Sequence, residues 1–176
     1  LGDVYKRQLK DGALMQVLRE TTITTAKLFF ILFGALIFSN FVNRAGLPDG
    51  LIGIVNAFDL SPLGVIFIIL LIYVLLGCVF ESLSMILLTV PIFAPVVANL
   101  GFDLIWFGIL VVVVTEISLI TPPIGLNVFV LKGVLKDVPV TTIFKGVTPF
   151  WVADIFRLIL LAGVPSIALF LPSMMN

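Results

Sequence analysis

Two long apolar segments, residues 62–98 and 104–131, are each interrupted near the middle by polar residues. An ionised side chain at the centre of a bilayer costs roughly 2.5–3.5 kcal/mol on insertion scales, and backbone opened by proline leaves carbonyl groups that lipid cannot satisfy. Such interruptions are tolerated where they line a polar cavity, and broken helices of this kind are typical of secondary transporters. The pattern therefore predicts a membrane protein with a polar binding site at the interruptions.

The residues at the two interruptions provide side-chain oxygen atoms and backbone carbonyls that lack helical hydrogen-bond partners. Glu116 and Ser118, just before the second break, are secondary candidates. For Glu116, a role in the site and an interfacial or inter-helix contact are equally weighted alternatives. The alternatives are a structural ion pair for Glu81 and a plain kink at the proline pair. The primary candidates are Gly77, Glu81, Ser82 and Ser84 in the first interruption, and Thr121, Pro122, Pro123, Gly125 and Asn127 in the second.

The composition indicates an all-α integral membrane protein. Of 176 residues, 61% are hydrophobic and 11% are charged, whereas a soluble domain carries about 25% charged residues. The apolar runs are long enough for transmembrane helices in a lipid bilayer. The formal net charge is zero and no basic face is visible, so no nucleic-acid partner is expected.

The residues that enzymes use most often are scarce. The chain contains no histidine, and Cys78 is its single cysteine. No nucleophile–base pair, metal-ligand cluster or phosphate-binding loop is visible, so we expect neither an enzyme, nor an organic cofactor, nor a transition-metal site.

The N-terminal part of the chain carries three predictions. Residues 1–8 match no element that follows, and we expect them to be foreign to the natural protein. Residues 9–20 have mixed charge with periodic apolar positions, which is typical of an interfacial helix; a solvated linker is the alternative. Residues 21–57 are predicted to form a re-entrant helical hairpin, and a plain transmembrane helix over residues 21–42 is the alternative.

The predicted hairpin places Ser39 and Asn40 at its tip, where they become further candidates for the binding site. The alternative assigns this pair to an ordinary helix end. Later in the chain, residues 147–172 are predicted to form the final transmembrane helix, with a kink at Pro165. Asp154 and Arg157 lie three residues apart on this helix, so we expect a structural ion pair.

Taken together, several short motifs resemble one known family. The motifs are GCVFE at residues 77–81, LTVPIFAP at 88–95, NLGFD at 99–103, WFG at 106–108 and TPPIGLNVFV at 121–130. In the order and spacing of these motifs, the chain from about residue 10 to residue 174 resembles the C-terminal half of the large membrane subunit of TRAP transporters, the DctM-like permeases.

The resemblance implies a fold and a function. The family has an elevator-type fold of two inverted repeats, each with a re-entrant hairpin and broken helices, and this chain would be the second repeat. Sodium drives the uptake of organic acids, typically C4-dicarboxylates or sialic acid. The implied partners are the missing N-terminal half of the same permease, a small membrane subunit and a periplasmic substrate-binding protein. The implied location is the bacterial inner membrane, which the chain would cross several times.

The resemblance also places the site. It implies a hairpin tip at residues 34–40 and unwound helix at residues 77–84 and 118–127. Sodium prefers oxygen ligands, which hydroxyls, carboxylates and opened carbonyls supply, while positive helix ends suit a substrate carboxylate. The family usually has Asp where Glu81 stands, which leaves direct ion coordination by Glu81 open. Two other functions remain as alternatives: an ion-coupled anion permease that needs no binding protein, and a non-transporting membrane scaffold.

Overall fold

A computed structural model describes residues 13–122 and 124–175. Within these ranges the chain forms eight α-helices and no strand, which confirms the predicted all-α class. The helices are α1 (Ala13–Arg44), α2 (Leu47–Ala57), α3 (Pro62–Gly77), α4 (Ser82–Asn99), α5 (Leu104–Ser118), α6 (Leu126–Val134), α7 (Val140–Gly163) and α8 (Pro165–Ser173).

Three of the helices, α1, α4 and α7, are long and apolar enough to cross a membrane. The apolar helices α3 and α5 have 16 and 15 residues. At 1.5 Å per residue they are roughly 22–24 Å long, which is shorter than the ~30 Å hydrocarbon core of a bilayer. The fold thus combines helices of spanning length with shorter apolar helices that need protein neighbours.

Three helices in the middle of the chain start at side-chain caps. The Ser61 hydroxyl accepts from the Gly64 amide at the start of α3, and Pro62 occupies the first turn, where its missing N–H costs nothing. Asp103 caps α5 by accepting from two backbone amides, and Glu81 does the same for α4. These local caps explain why the helices begin where they do.

The structure corrects the hairpin predicted for residues 21–57. Helix α1 runs without a break through residues 34–40, and the chain turns only at Gly46, which has a φ of +71°. Asn40 does not break this helix, because its side-chain Nδ2 donates to the Leu36 carbonyl of the preceding turn at 2.9 Å. The alternative, a continuous helix over residues 21–42, is the one that the structure shows.

A helical hairpin does occur, but it is formed by α3 and α4. The Tyr73 and Thr89 hydroxyls lie 2.6 Å apart, and the rings of Tyr73 and Phe93 have centroids 5.9 Å apart. In a continuous helix Tyr73 and Thr89 would be separated by roughly 24 Å. The chain therefore reverses at residues 78–81, and this corrects the prediction of a single broken transmembrane helix over residues 62–98.

Helices α5 and α6 are two pieces of one interrupted helix. Trp106 Nε1 donates to the Leu161 carbonyl near one end of α7, whereas Gly125 lies against Phe144 near the other end. The chain thus keeps its direction along α7 through the interruption at residues 119–125. This arrangement agrees with the break expected between residues 104 and 131.

The two ends of the chain differ from their predicted bounds. Residues 13–20 continue into α1 as one helix, while the predictions for residues 1–8 and 9–12 fall outside the described residues. The final segment starts earlier than predicted, at Val140, and it breaks before Pro165 into α7 and α8. A proline has no amide to continue the α7 hydrogen-bond ladder, so the expected kink becomes a helix boundary.

The core is built around α5. Its buried side chains, among them the fully buried Trp106, pack against α3, α4 and α7. Helix α1 lies at the edge, with only Ala35 and Val42 buried. Large apolar side chains cover its outer surface, as expected for contact with lipid or with further protein.

Candidate functional site

The two interruptions of the sequence meet in the structure. The last residue of α3, Gly77, is buried against the last residue of α5, Ser118. A Cβ atom built on Gly77 would overlap the Ser118 side chain and would lie 3.5 Å from its Cα. Only glycine allows this approach, so the sequence candidates Gly77 and Ser118 are brought together.

This contact places two helix C-termini side by side. The C-terminal end of a helix carries a partial negative charge from carbonyl groups that have no intrahelical partner. Residues 78–81, called the hairpin tip below, follow Gly77, and residues 119–125, called the break segment, follow Ser118. Both irregular segments therefore begin at the adjacent C-terminal ends of α3 and α5, where the electrostatic potential of the helices favours a cation.

The hairpin tip is organised by Glu81. One carboxylate oxygen accepts from the Leu83 amide at 2.9 Å, and the other accepts from the Ser84 amide and the Ser84 hydroxyl, both at 3.1 Å. Glu81 is exposed and Ser82 is half-buried. Both Glu81 oxygens thus serve as the N-cap of α4, a structural role that the sequence analysis did not assign to this carboxylate.

The break segment is held from the side by α7. The buried Thr121 hydroxyl donates to the Ile117 carbonyl at 2.7 Å and accepts from Trp151 Nε1 at 2.9 Å. The backbone amide of Asn127 donates to the Leu119 carbonyl at 3.1 Å, which ties the two sides of the break together. Thr121 is therefore a structural anchor whose hydroxyl already has two partners.

The break segment presents backbone oxygens. Among hydrogen bonds between described residues, none uses the carbonyls of Ile120, Thr121 or Pro122. Gly125 has a φ of +57°, and a Cβ built on it would lie 3.4 Å from the Thr121 carbonyl oxygen. The positive φ thus favours glycine at this position.

The N-terminus of α6 follows the break segment directly. Gly125 caps this helix without a side-chain hydrogen bond, and the amides of Asn127 and Val128 donate to the Leu119 and Gly125 carbonyls. The Asn127 side chain is exposed in the first turn of α6. Amide groups at a helix N-terminus favour negative charge, which makes this end suitable for a carboxylate.

Three sequence candidates remain. Ser39 and Asn40 belong to the continuous helix α1, and their hydrogen bonds join residues of that helix. Phe38 beside them faces an apolar cleft of about 190 Å³ between α1 and the α3–α4 hairpin. Pro123 lies outside the described residues. The hydrogen bonds of Ser39 and Asn40 thus stay within α1, although Phe80 of the hairpin tip lines the cleft that Phe38 faces.

The two secondary candidates, Ser118 and Glu116, differ in burial. Ser118 is fully buried at the Gly77 contact, and its hydroxyl donates to the Thr115 carbonyl. Glu116, two residues earlier, is exposed. Thr115 itself is 1% exposed, and its hydroxyl has no hydrogen-bond partner among the described residues.

Two of these residues were missed by the sequence analysis. Trp151 lies thirty residues from Thr121, and Thr115 lies in an apolar run that shows no break. The available signal for Trp151 was chemical, since a buried indole N–H requires a hydrogen-bond partner.

The donor set indicates what the region can hold. Backbone carbonyls and hydroxyls at helix C-termini suit a hard cation such as sodium, and the start of α6 suits an anion. No group of three His, Cys, Asp or Glu side chains with metal-binding geometry occurs in the described part of the chain. The groups left open at the break segment are backbone carbonyl oxygens.

Comparison with known proteins gives a family match. The family described as "Tripartite ATP-independent periplasmic transporter, DctM component" matches residues 1–167. The sialic acid TRAP transporter large permease protein SiaM of Vibrio cholerae is 33% identical over 174 residues, which is 99% of this chain and 40% of that protein. The C4-dicarboxylate TRAP transporter large permease protein DctM of Pseudomonas aeruginosa is 31% identical over 167 residues, which is 95% of this chain and 39% of that protein.

A third relative carries a different substrate name. The ectoine/5-hydroxyectoine TRAP transporter large permease protein UehC of Ruegeria pomeroyi is 31% identical over 154 residues, which is 87% of this chain and 36% of that protein. The chain thus spans about two fifths of the length of these relatives, whose names give different substrates.

Proposed function

Because the chain belongs to the DctM family of tripartite ATP-independent periplasmic transporter components, we propose that it forms part of the large membrane subunit of a sodium-coupled transporter for organic acids. The observation that carries the proposal is the contact between Gly77 and Ser118, which joins the hairpin tip to the break segment. A chain that only crossed a membrane would not need these two irregular segments in contact.

Sodium is the proposed coupling ion. The C-terminal ends of α3 and α5 converge, and the carbonyls of Ile120, Thr121 and Pro122 supply oxygen atoms next to them. Together they offer a hard cation a ligand set without histidine or cysteine. Glu81 acts mainly as the cap of α4, and its charge adds to the negative potential at the tip.

An organic acid is the proposed substrate. Sialic acid and C4-dicarboxylates are named for two of the relatives, and both carry a carboxylate. The N-terminal end of α6 favours such a group, and the exposed side-chain amide of Asn127 offers it a donor. The relatives differ in their named substrates, so the acid is proposed as a class.

The remaining proposals concern topology and partners. The α3–α4 hairpin is proposed to enter the membrane and return, and α5–α6 to form a broken transmembrane helix of one elevator-type repeat. The protein would be a multi-pass component of the bacterial inner membrane. It would work with the rest of the large permease, a small membrane subunit and a periplasmic substrate-binding protein.

Reconstitution tests the proposal. The full-length permease would be placed in liposomes with its small subunit, and uptake of labelled sialic acid and C4-dicarboxylates would be measured. The assay would be run with and without an inward sodium gradient, and with and without the binding protein. Uptake that requires both the gradient and the binding protein is the expected result.

The other outcomes have clear meanings. Uptake that persists without the binding protein would replace the proposal with an ion-coupled permease that needs none. Uptake that ignores the sodium gradient would remove sodium as the coupling ion. Transport of no tested acid, by a preparation that is folded and inserted, would favour a membrane scaffold.

A further inference from the structure

Helices α5 and α7 carry four charged side chains, of which one, Lys145, lies in the first turns of α7. Glu116 is exposed on α5. On α7, Arg157 Nη2 and Asp154 Oδ1 form an ion pair at 3.0 Å, which confirms the predicted pair, with the side chains 53% and 30% exposed. These three residues are called the charged band below.

The members of the charged band lie at one level of the fold. Helices α5 and α7 run antiparallel, and Trp106 Nε1 of α5 donates to the Leu161 carbonyl of α7. Glu116 follows Trp106 by about 15 Å along α5, and Asp154 precedes Leu161 by about 10.5 Å along α7, at 1.5 Å per residue. The carboxylates of the two helices are thus offset by only about one turn or less along the common axis.

The surroundings of Glu116 favour contact with protein over contact with lipid. On α5 its exposed face continues through Val112, Gly108 and Ile105, spaced three or four residues apart. A Cβ built on Gly108 would meet no atom within 4 Å. A carboxylate and a small residue on the same face of an otherwise apolar helix are typical of a surface on which another helix packs.

We propose that the charged band is the surface on which the remainder of the large permease docks, and that a cationic side chain of that remainder pairs with Glu116. The inference rests on the proposed function, because it takes this chain as part of a longer permease. The relatives have about 60% of their length outside the matched part, which is enough for an opposing set of helices. Two carboxylates and one guanidinium leave the band with a net negative charge, so the complementary group is cationic.

Spin-label accessibility tests the docking surface. In the full-length permease with all cysteines replaced, including Cys78, a nitroxide label would be attached at Glu116→Cys and, as a control, at Asp137→Cys in the exposed loop before α7. Collisions with oxygen report lipid, and collisions with a water-soluble nickel chelate report water. The expected result is a loss of both kinds of collision at position 116, with chelate collisions retained at position 137.

Either kind of collision at position 116 would overturn the proposal. Frequent oxygen collisions would place Glu116 against lipid, and frequent chelate collisions would place it in a water-filled cavity. Because neither measurement depends on transport, a failure of the proposed transport function would leave this result interpretable.

Charge substitution tests the cationic partner. In the detergent-purified full-length permease, Glu116→Lys is expected to lower Tm by more than Glu116→Gln does, while Asp137→Lys leaves Tm unchanged. Equal Tm values for the Lys and Gln variants would overturn the pairing. If the Lys variant fails to fold, a Tm of Glu116→Gln at or above that of the parent would overturn it instead.

Discussion

The hairpin tip and the break segment are both interruptions of apolar helices, yet they are built differently. At the tip, Glu81 satisfies two amides of the helix that follows, and its hydrogen bonds reach no further than Ser84. At the break segment, Thr121 depends on Trp151 from a helix thirty residues away. The tip reverses the chain, whereas the break segment lets it continue.

The comparison shows that one interruption is stabilised by contacts within its own turn and the other by contacts with a distant helix. An acidic cap starts a new helix with groups from its own turn, so it needs no neighbour. A Thr-Pro-Pro break removes backbone donors and must be held by other parts of the fold. In a site that includes both regions, local capping fixes the conformation of the hairpin tip, and tertiary packing fixes the conformation of the break segment.

The largest expected effect comes from breaking the contact between the two regions. Gly77→Ala places a Cβ on the Ser118 side chain, and overpacking of this kind costs roughly 1–3 kcal/mol. The thermal stability of the full-length permease in detergent should fall accordingly, and sodium-dependent uptake should fall with it.

A second substitution supplies the control. Ser118→Gly removes the overlapping atoms, so the Gly77→Ala/Ser118→Gly double variant should recover most of the lost stability. Gly108→Ala, at a position with open space, should be nearly neutral. A double variant no more stable than Gly77→Ala alone would show that the close approach is not the cause.

The next effect separates capping from ion binding at the tip. Glu81→Ala removes the N-cap of α4 and should destabilise the protein by about 0.5–2 kcal/mol, whereas Glu81→Ser retains a capping oxygen without the charge. Comparable stability of the Ser variant and the parent would support the cap. A weaker apparent affinity for sodium in Glu81→Ser, at unchanged stability, would show that the charge also serves the ion.

A smaller effect tests the tertiary support of the break segment. Trp151→Phe removes the indole donor to Thr121 and should cost about 0.5–1.5 kcal/mol. In a double-mutant cycle with Thr121→Val, the two losses should not add, because they remove the same hydrogen bond. Additive losses would mean that the two side chains act independently.

The smallest effect concerns the two arms of the hairpin. Tyr73→Phe removes the hydroxyl that lies 2.6 Å from the Thr89 hydroxyl, while Thr89 keeps its bond to the Met85 carbonyl. No buried polar group is left without a partner, so the cost should be near 0.5 kcal/mol, the lower end for a hydrogen bond. A loss several times larger in the stability measurement would show that this contact, and not apolar packing, holds the arms together.

The sequence predicted some elements well and misplaced others. The interruption at Glu81 and the break after Ser118 lie where the polar residues indicated, because a cap and a proline pair act within a turn or two. The hairpin was assigned to residues 21–57, since the short apolar run there ends at Ser39 and Asn40. The structure accommodates both side chains within a continuous helix.

The sequence by itself determined the all-helical membrane class, the helix starts at Ser61, Glu81 and Asp103, and the positions of both interruptions. All of these follow from composition or from hydrogen bonds between residues a few positions apart. The tertiary structure alone decided that the chain reverses at the tip, continues through the break segment, and brings Gly77 onto Ser118. After an interruption the chain can continue in many directions, and only packing between residues far apart in the sequence selects one of them.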